Sequence, residues 1–197
     1  MADCWSCGAE RGDAVFCGSC GLIQPLSPKL DDFTALGLPR KMALERRRVD
    51  KAFREASKQV HPDRFPKTEP EQRKLALAHT EKVNEAYKRL KDPRTRGEYL
   101  LELAGEQVAS ETERTEDPAF LMTMLEKQEA VQFESDPDQL AEMKADTVAR
   151  YDGLLTVVGR YFDHGEGDLA EVRAALAELR YLHRMLDQIG RREEELF

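Results

Sequence analysis

Two groups of residues have the types and spacing to do chemistry. The first is a pair of short cysteine units, Cys4-Trp5-Ser6-Cys7-Gly8 and Cys17-Gly18-Ser19-Cys20-Gly21, with nine residues between Cys7 and Cys17. In each, two thiolates can converge on one ion, and the glycine after the second cysteine lets the backbone turn its amides toward the sulfurs. Together Cys4, Cys7, Cys17 and Cys20 predict a closed tetrahedral metal site, most often zinc. Such a site holds a fold together, because four protein ligands leave no position for water or substrate. A redox pair or two disulfides are the alternatives. A nucleic-acid-binding ribbon is disfavoured, since Asp3, Glu10 and Asp13 against Arg11 leave the unit acidic.

The second group is His61-Pro62-Asp63. No Ser or Cys nucleophile stands near His61 in sequence, so the tripeptide is not an active site by itself. An Asp held in a proline-restrained turn is suited instead to presenting a fixed carboxylate to an arginine of a partner. Beside it lies a basic island. Between Arg40 and Lys58 eight basic residues face three acidic ones, a surplus of +5 that suits a docking face.

The elements that must position these groups follow from periodicity. Met1 to about Pro28 has no helical period and is too short for a core of its own. Phe33, Leu36 and Leu38 predict a short helical turn capped by Asp31 or Asp32 and ended by Gly37 and Pro39. Val49, Ala52, Phe53, Ala56 and Val60 form one apolar face of a helix that Pro62 stops. A second helix, from about Glu71 to Leu90, shows Leu75, Ala78, Val83, Ala86, Tyr87 and Leu90, with Asp92-Pro93 as its exit. The loop between them carries His61-Pro62-Asp63. Beyond lie a helix at Gly97 to Gly105 and three periodic runs, about Asp117–Glu134, Pro137–Phe162 and Asp168–Glu195. These predict an antiparallel bundle packing Leu140, Met143, Val148, Leu155 and Val158 against Leu176, Leu179, Leu182 and Leu186, with Arg191 to Glu195 fraying. The expected fold is therefore all-α: a helical hairpin and a C-terminal three-helix bundle, preceded by a zinc knuckle.

Composition agrees. Of 197 residues 41% are hydrophobic, 7% aromatic and 35% charged, a balance that favours amphipathic helices over a β-sandwich. The net charge of −8 argues against nucleic-acid or anionic-membrane partners, which reward a basic surface. Between Glu111 and Asp146 eleven acidic residues face three basic ones, so a second surface has the opposite sign from the basic island. Neither a membrane-spanning apolar run nor a signal-peptide pattern is present, which leads us to expect the cytosol, or the mitochondrial matrix if a presequence has been removed.

The order of these features resembles a known family. Lys58-Gln59-Val60-His61-Pro62-Asp63-Arg64-Phe65, then Val83-Asn84-Glu85-Ala86-Tyr87-Lys88-Arg89-Leu90 and Asp92-Pro93, is the series of a J-domain: basic helix, HPD loop, NEAY helix and closing L-x-D-P. Gly97-Glu98-Tyr99-Leu100-Leu101-Glu102-Leu103, with Asp117-Pro118-Ala119-Phe120-Leu121-Met122 and Leu179-Arg180-Tyr181-Leu182, is similar to the HscB branch of iron–sulfur co-chaperones. The resemblance implies domains at 31–104 (J-domain) and 115–197 (C-terminal scaffold-binding bundle), whereas the tetracysteine unit at 1–28, read from the residues themselves, departs from compact members that begin at the J-domain and is compatible with longer ones. It implies no enzymatic activity. It implies instead a DnaK/HscA-class chaperone whose ATPase is stimulated through His61, Pro62 and Asp63, with Lys51, Arg54 and Lys58 as the basic residues indicated by charge and position. It also implies an iron–sulfur cluster scaffold protein of the IscU type, held by Leu121, Met122, Leu125, Glu126 and Glu129 on one helix and by Tyr181, where the family often has Phe. On residue pattern alone, Leu121, Met122 and Leu125 could equally be core. Two other readings compete. One is a general J-domain protein that recruits unfolded clients through the cysteine unit; the other is a redox protein or metalloenzyme built on the four thiols.

Overall fold

The computed structural model describes residues 3–10, 13–66, 69–107 and 118–196, the side chains of 118–121 excepted. Its regular elements are helical: α1 (Asp32–Ala35), α2 (Arg46–Val60), a 3-10 turn (Pro62–Arg64), α3 (Pro70–Leu90), α4 (Pro93–Leu103), α5 (Pro118–Phe133), α6 (Pro137–Gly159) and α7 (Leu169–Leu196). Among the described residues, β-structure is limited to two isolated antiparallel bridges, Asp3 with Glu10 and Phe16 with Ile23, both in the cysteine unit. The chain forms two compact units, one comprising 1–40 with 44–92, the other 41–43 with 93–197.

In the first unit, α1 is started by Asp31, whose carboxylate accepts from the Thr34 amide at 2.7 Å, and is ended by Gly37 at φ 65°. Capping satisfies amides that the first turn leaves without partners. Asp32 is buried and paired to Lys82 (2.6 Å) and Arg89 (3.4 Å), which fixes α1 on α3. Helices α2 and α3 form the expected hairpin. Their packing includes Phe53 stacked on Tyr87, ring centroids 4.2 Å apart, while the Tyr87 hydroxyl donates to Asp50 at 2.9 Å. The buried face of α3 is rotated from the expected one. Gln72, Ala76 and His79 join Val83, Ala86 and Leu90 inside, while Leu75, Ala78 and Tyr87 are half-buried. His79 is buried because Gln24, from the cysteine unit, lies over it: His79 Nε2 donates to the Gln24 carbonyl at 2.8 Å.

In the second unit, α4 begins at Pro93, earlier than periodicity indicated, so Asp92-Pro93 marks the end of one helix and the start of the next. Proline suits a first helical position, where its missing amide is no loss. Gly97 lets α4 approach closely: an added Cβ would stand 2.8 Å from Leu176 Cδ2 and 3.2 Å from Val158 Cγ1. Helices α5, α6 and α7 then form the three-helix bundle, with Val131, Leu140, Met185 and Ile189 as one buried cluster. Asp136 caps α6 by accepting from Asp138 N at 2.9 Å. The chain winds on from α6 as a π-helical turn, Arg160–His164, closed by Gly165 at φ 72°. Asp163 in that turn accepts from the amides of Met42 and Ala43, each at 2.7 Å.

Two further expectations need correction. Val148 faces solvent, and Thr147 and Leu154 are buried in the middle of α6 instead, while Leu140 and Val158 are buried as expected, so the stripe shifts by one residue only between them. The C-terminal segment does not fray: α7 runs to Leu196, with Arg192 Nε donating to the Glu134 carbonyl at 2.9 Å and Lys144 paired to Glu193 at 2.6 Å. These cross-helix partners supply what a polar terminal turn lacks by itself.

Candidate functional site

The cysteine unit brings all four sulfurs together. Cys4, Cys7, Cys17 and Cys20 offer ligand atoms within 4.8 Å of one another, with Cys4 to Cys20 at 3.7 Å and Cys7 to Cys17 at 3.8 Å. A tetrahedral site with metal–sulfur bonds of about 2.3 Å has sulfur–sulfur edges of about 3.8 Å, so these two separations already have the length such an ion needs. Amides of Ser6 and Cys7 point at Cys4 Sγ (3.4 and 3.5 Å), and that of Ser19 at Cys17 Sγ (3.4 Å). The Cys7 amide, aided by Ser6 against the cost of burial, brings the Cys4 thiol down to about 6. At Cys20 the Leu22 amide works the same way but is outweighed by burial and by the neighbouring sulfurs, and the thiol is pushed up to about 12. Sulfurs this close cannot all ionise unless a cation sits among them. Residues Cys4, Cys7, Cys17 and Cys20 therefore fit a divalent metal, without identifying which. Trp5 Nε1 donates to the Ile23 carbonyl at 2.7 Å, tying the first knuckle to the strip that reaches His79.

The His61-Pro62-Asp63 loop is held from within. Pro62 opens the 3-10 turn, the Asp63 amide donates to His61 Nδ1 at 3.2 Å, and Arg64 donates to the carbonyls of Lys58 and Gln59 at the end of α2. Thr80 of α3 donates to the Val60 carbonyl at 3.3 Å. The loop is thereby fixed while Asp63 remains 83% exposed at its side chain, 3.7 Å from the His61 ring nitrogen. Lys51, Arg54 and Lys58 are all exposed on α2. Lys51 is paired to Glu55 at 3.8 Å, whereas Arg54 and Lys58 make no ion pair among the described residues. Lys58, Gln59, His61 and Arg64 line an open groove beside the loop. The arrangement is a carboxylate and a set of cations on one rigid hairpin end, able to meet a partner carrying an arginine and acidic groups.

A third surface lies on α5. Met122 is 63% and Leu125 56% exposed, with Glu126 and Glu129 exposed beside them, so these apolar side chains are not core. The Leu121 side chain falls outside the described residues. Tyr181 is on α7, half-buried, with the Arg184 guanidinium 4.7 Å from its ring centroid. Periodicity missed Phe133, the last residue of α5, which is 75% exposed. It also missed His79, for which sequence offered no signal because its partner is a backbone carbonyl more than fifty positions away.

Comparison with known proteins gives two family matches: the HSCB C-terminal oligomerisation domain over residues 116–190 and the DnaJ domain over residues 31–99. The iron-sulfur cluster co-chaperone protein HscB of Mus musculus is 28% identical over 190 residues, 94% of this chain and 80% of its own. The co-chaperone protein HscB of Proteus mirabilis is 31% identical over 175 residues, 85% of this chain and 98% of its own. Among solved structures, the crystal structure of human co-chaperone protein HscB superposes with a TM-score of 0.86 at 26% identity, covering 98% of both chains.

Proposed function

Because the chain belongs to the HscB family of J-domain co-chaperones, we propose that it stimulates the ATPase of a DnaK/HscA-class chaperone and delivers to it an iron–sulfur cluster scaffold protein of the IscU type. The observation that carries this reading is the presentation of Asp63. Its carboxylate is exposed at the tip of a hairpin whose turn is fixed by the Asp63 amide on His61 and by Arg64 on the carbonyls that end α2. Such a group biases a partner's conformation by binding one of its states better, without catalysing anything itself. His61, Pro62 and Asp63 would form the contact, and Lys51, Arg54 and Lys58 would steer the encounter. The functional division into 31–104 for the chaperone and 115–197 for the scaffold follows the same reading. Met122, Leu125, Glu126 and Glu129, with Leu121 and Tyr181 by resemblance, would receive the scaffold. In the cysteine unit, Cys4, Cys7, Cys17 and Cys20 would hold a structural ion, with zinc our choice; the ion would supply cross-linking charge, not chemistry. Our reading for location is the cytosol, with the mitochondrial matrix as the alternative if a presequence has been removed.

The test is the steady-state ATPase rate of the chaperone with this protein, with and without scaffold. Synergistic stimulation that disappears in Asp63→Ala is the expected result. Equal stimulation by wild type and Asp63→Ala would defeat the proposal, and stimulation indifferent to scaffold would favour the general J-domain reading.

A further inference from the structure

Phe133 is the most exposed of the large apolar side chains named so far, yet it sits at one of the best-anchored points of its helix. Two positions earlier, Val131 is buried against Leu140, Met185 and Ile189. One position later, the Glu134 carbonyl accepts from Arg192, and the Glu134 carboxylate accepts from the amides of Ser135 and Asp136 at 2.8 and 2.9 Å. The backbone is thus pinned on both sides of an aromatic ring that the fold leaves in water. A pre-positioned aromatic loses little freedom on binding, which is why such residues dominate interface energetics.

Its position on the helix is equally specific. At about 100° per residue, positions 122, 126, 129 and 133 fall within roughly 60° of one another, with Leu125 on the same side. The face therefore has an apolar end at Met122 and Leu125, two glutamates in the middle, and a second apolar end at Phe133, about 16 Å away. Lys127 and Val131 point elsewhere on the helix, so no basic residue of α5 neutralises this stripe.

We infer that Phe133 is a second apolar anchor of the scaffold-binding face, so that α5 grips a folded partner at two apolar points flanking a contact from Glu126 and Glu129 to a basic residue. The inference rests on the scaffold-binding reading above and adds to it what the partner must present: two apolar recesses about three helical turns apart with a cation between them. Charge selects this occupant over a second copy of the chain, because two copies of the stripe laid face to face would bring glutamates against glutamates.

Calorimetric titration of the full chain with the apo scaffold protein of the same organism tests it, using Phe133→Ala and Leu125→Ala, both exposed positions whose variants are checked for unchanged melting. Each is expected to weaken binding about tenfold or more. Loss in Leu125→Ala with wild-type affinity in Phe133→Ala would overturn the second anchor and leave the scaffold-binding reading intact. No loss in either would remove the reading itself. Glu126→Gln with Glu129→Gln is expected to flatten the salt dependence of binding; an unchanged slope would overturn the cation between the anchors. Sedimentation of the unliganded chain covers the remaining occupant: a dimer that Phe133→Ala dissociates, with scaffold affinity unaltered, would assign the ring to self-association and overturn the inference.

Discussion

A carboxylate that must reach a partner's cation is best held where its own molecule gives it few competing donors, and Asp63 meets that condition. The strong cations nearby are directed elsewhere: Arg64 serves the carbonyls that end α2, and Lys51 leans toward Glu55. Lys58, at the groove, is left to act at a distance. Lys58→Glu is expected to slow association with the chaperone several-fold at low salt, with the gap closing at high salt and melting unaffected, as stopped-flow mixing would show. An unchanged rate at low salt would remove Lys58 from the docking face. At this scale the cysteines and the His61-Pro62-Asp63 loop were legible because their types and spacing are local. Phe133 was not, since the same helical pattern serves an inward and an outward aromatic equally well, and only the placement of Val131 decides between them.

Helices are where local signals and tertiary contacts compete. Asp31 carries two duties, capping α1 and pairing with Arg40. Burial opposes its charged form, but the Thr34 amide and the Arg40 guanidinium outweigh that cost and hold its carboxyl below the usual range. Asp31→Ala is expected to cost about 1–2 kcal/mol in denaturant unfolding. A lowered folded value means the charge contributes fully above the unfolded value of about 3.9 and is lost as pH falls through the folded one. The melting difference between wild type and Asp31→Asn should accordingly be steady from pH 5 to 8 and collapse below about pH 4. Gly97 makes the opposite kind of statement. Alanine there gains about 1 kcal/mol of helix propensity, yet it must displace Leu176 and the stiff, buried Val158, at a cost of 1–3 kcal/mol, so Gly97→Ala is expected to lower the melting temperature. A rise would mean that Leu176 swings aside freely. Neither the early start of α4 nor the ordered end of α7 was legible, for a common reason. Pro93 reads as a stop and as a first helical residue, and Arg192 reads as polar fray until Glu134 is seen to receive it.

On the scale of the molecule, α2 is basic and the exposed stripe of α5 acidic, as the uneven charge along the chain already indicated, so the two partners proposed above would be told apart by sign. Less legible was the attachment of the cysteine unit. Ile23 and Gln24 are wholly buried, and the Gln24 carbonyl engages His79 on α3. Binding of structural zinc supplies on the order of 10 kcal/mol in small units, so its removal should be felt along this strip. Chelation is expected to increase amide exchange at Ile23, Gln24 and the middle of α3, and to leave α6 and α7 unaffected. Unchanged exchange in α3 would show that the strip stays seated without the ion. The same strip also constrains ancestry. A lineage that discarded the knuckle would leave a bare imidazole and a dry patch of α3 facing water, so deletion and replacement at the His79 position should be inherited together. Relatives that begin at the J-domain are expected to carry a different, water-tolerant residue there, which an alignment grouped by presence of the knuckle would reveal.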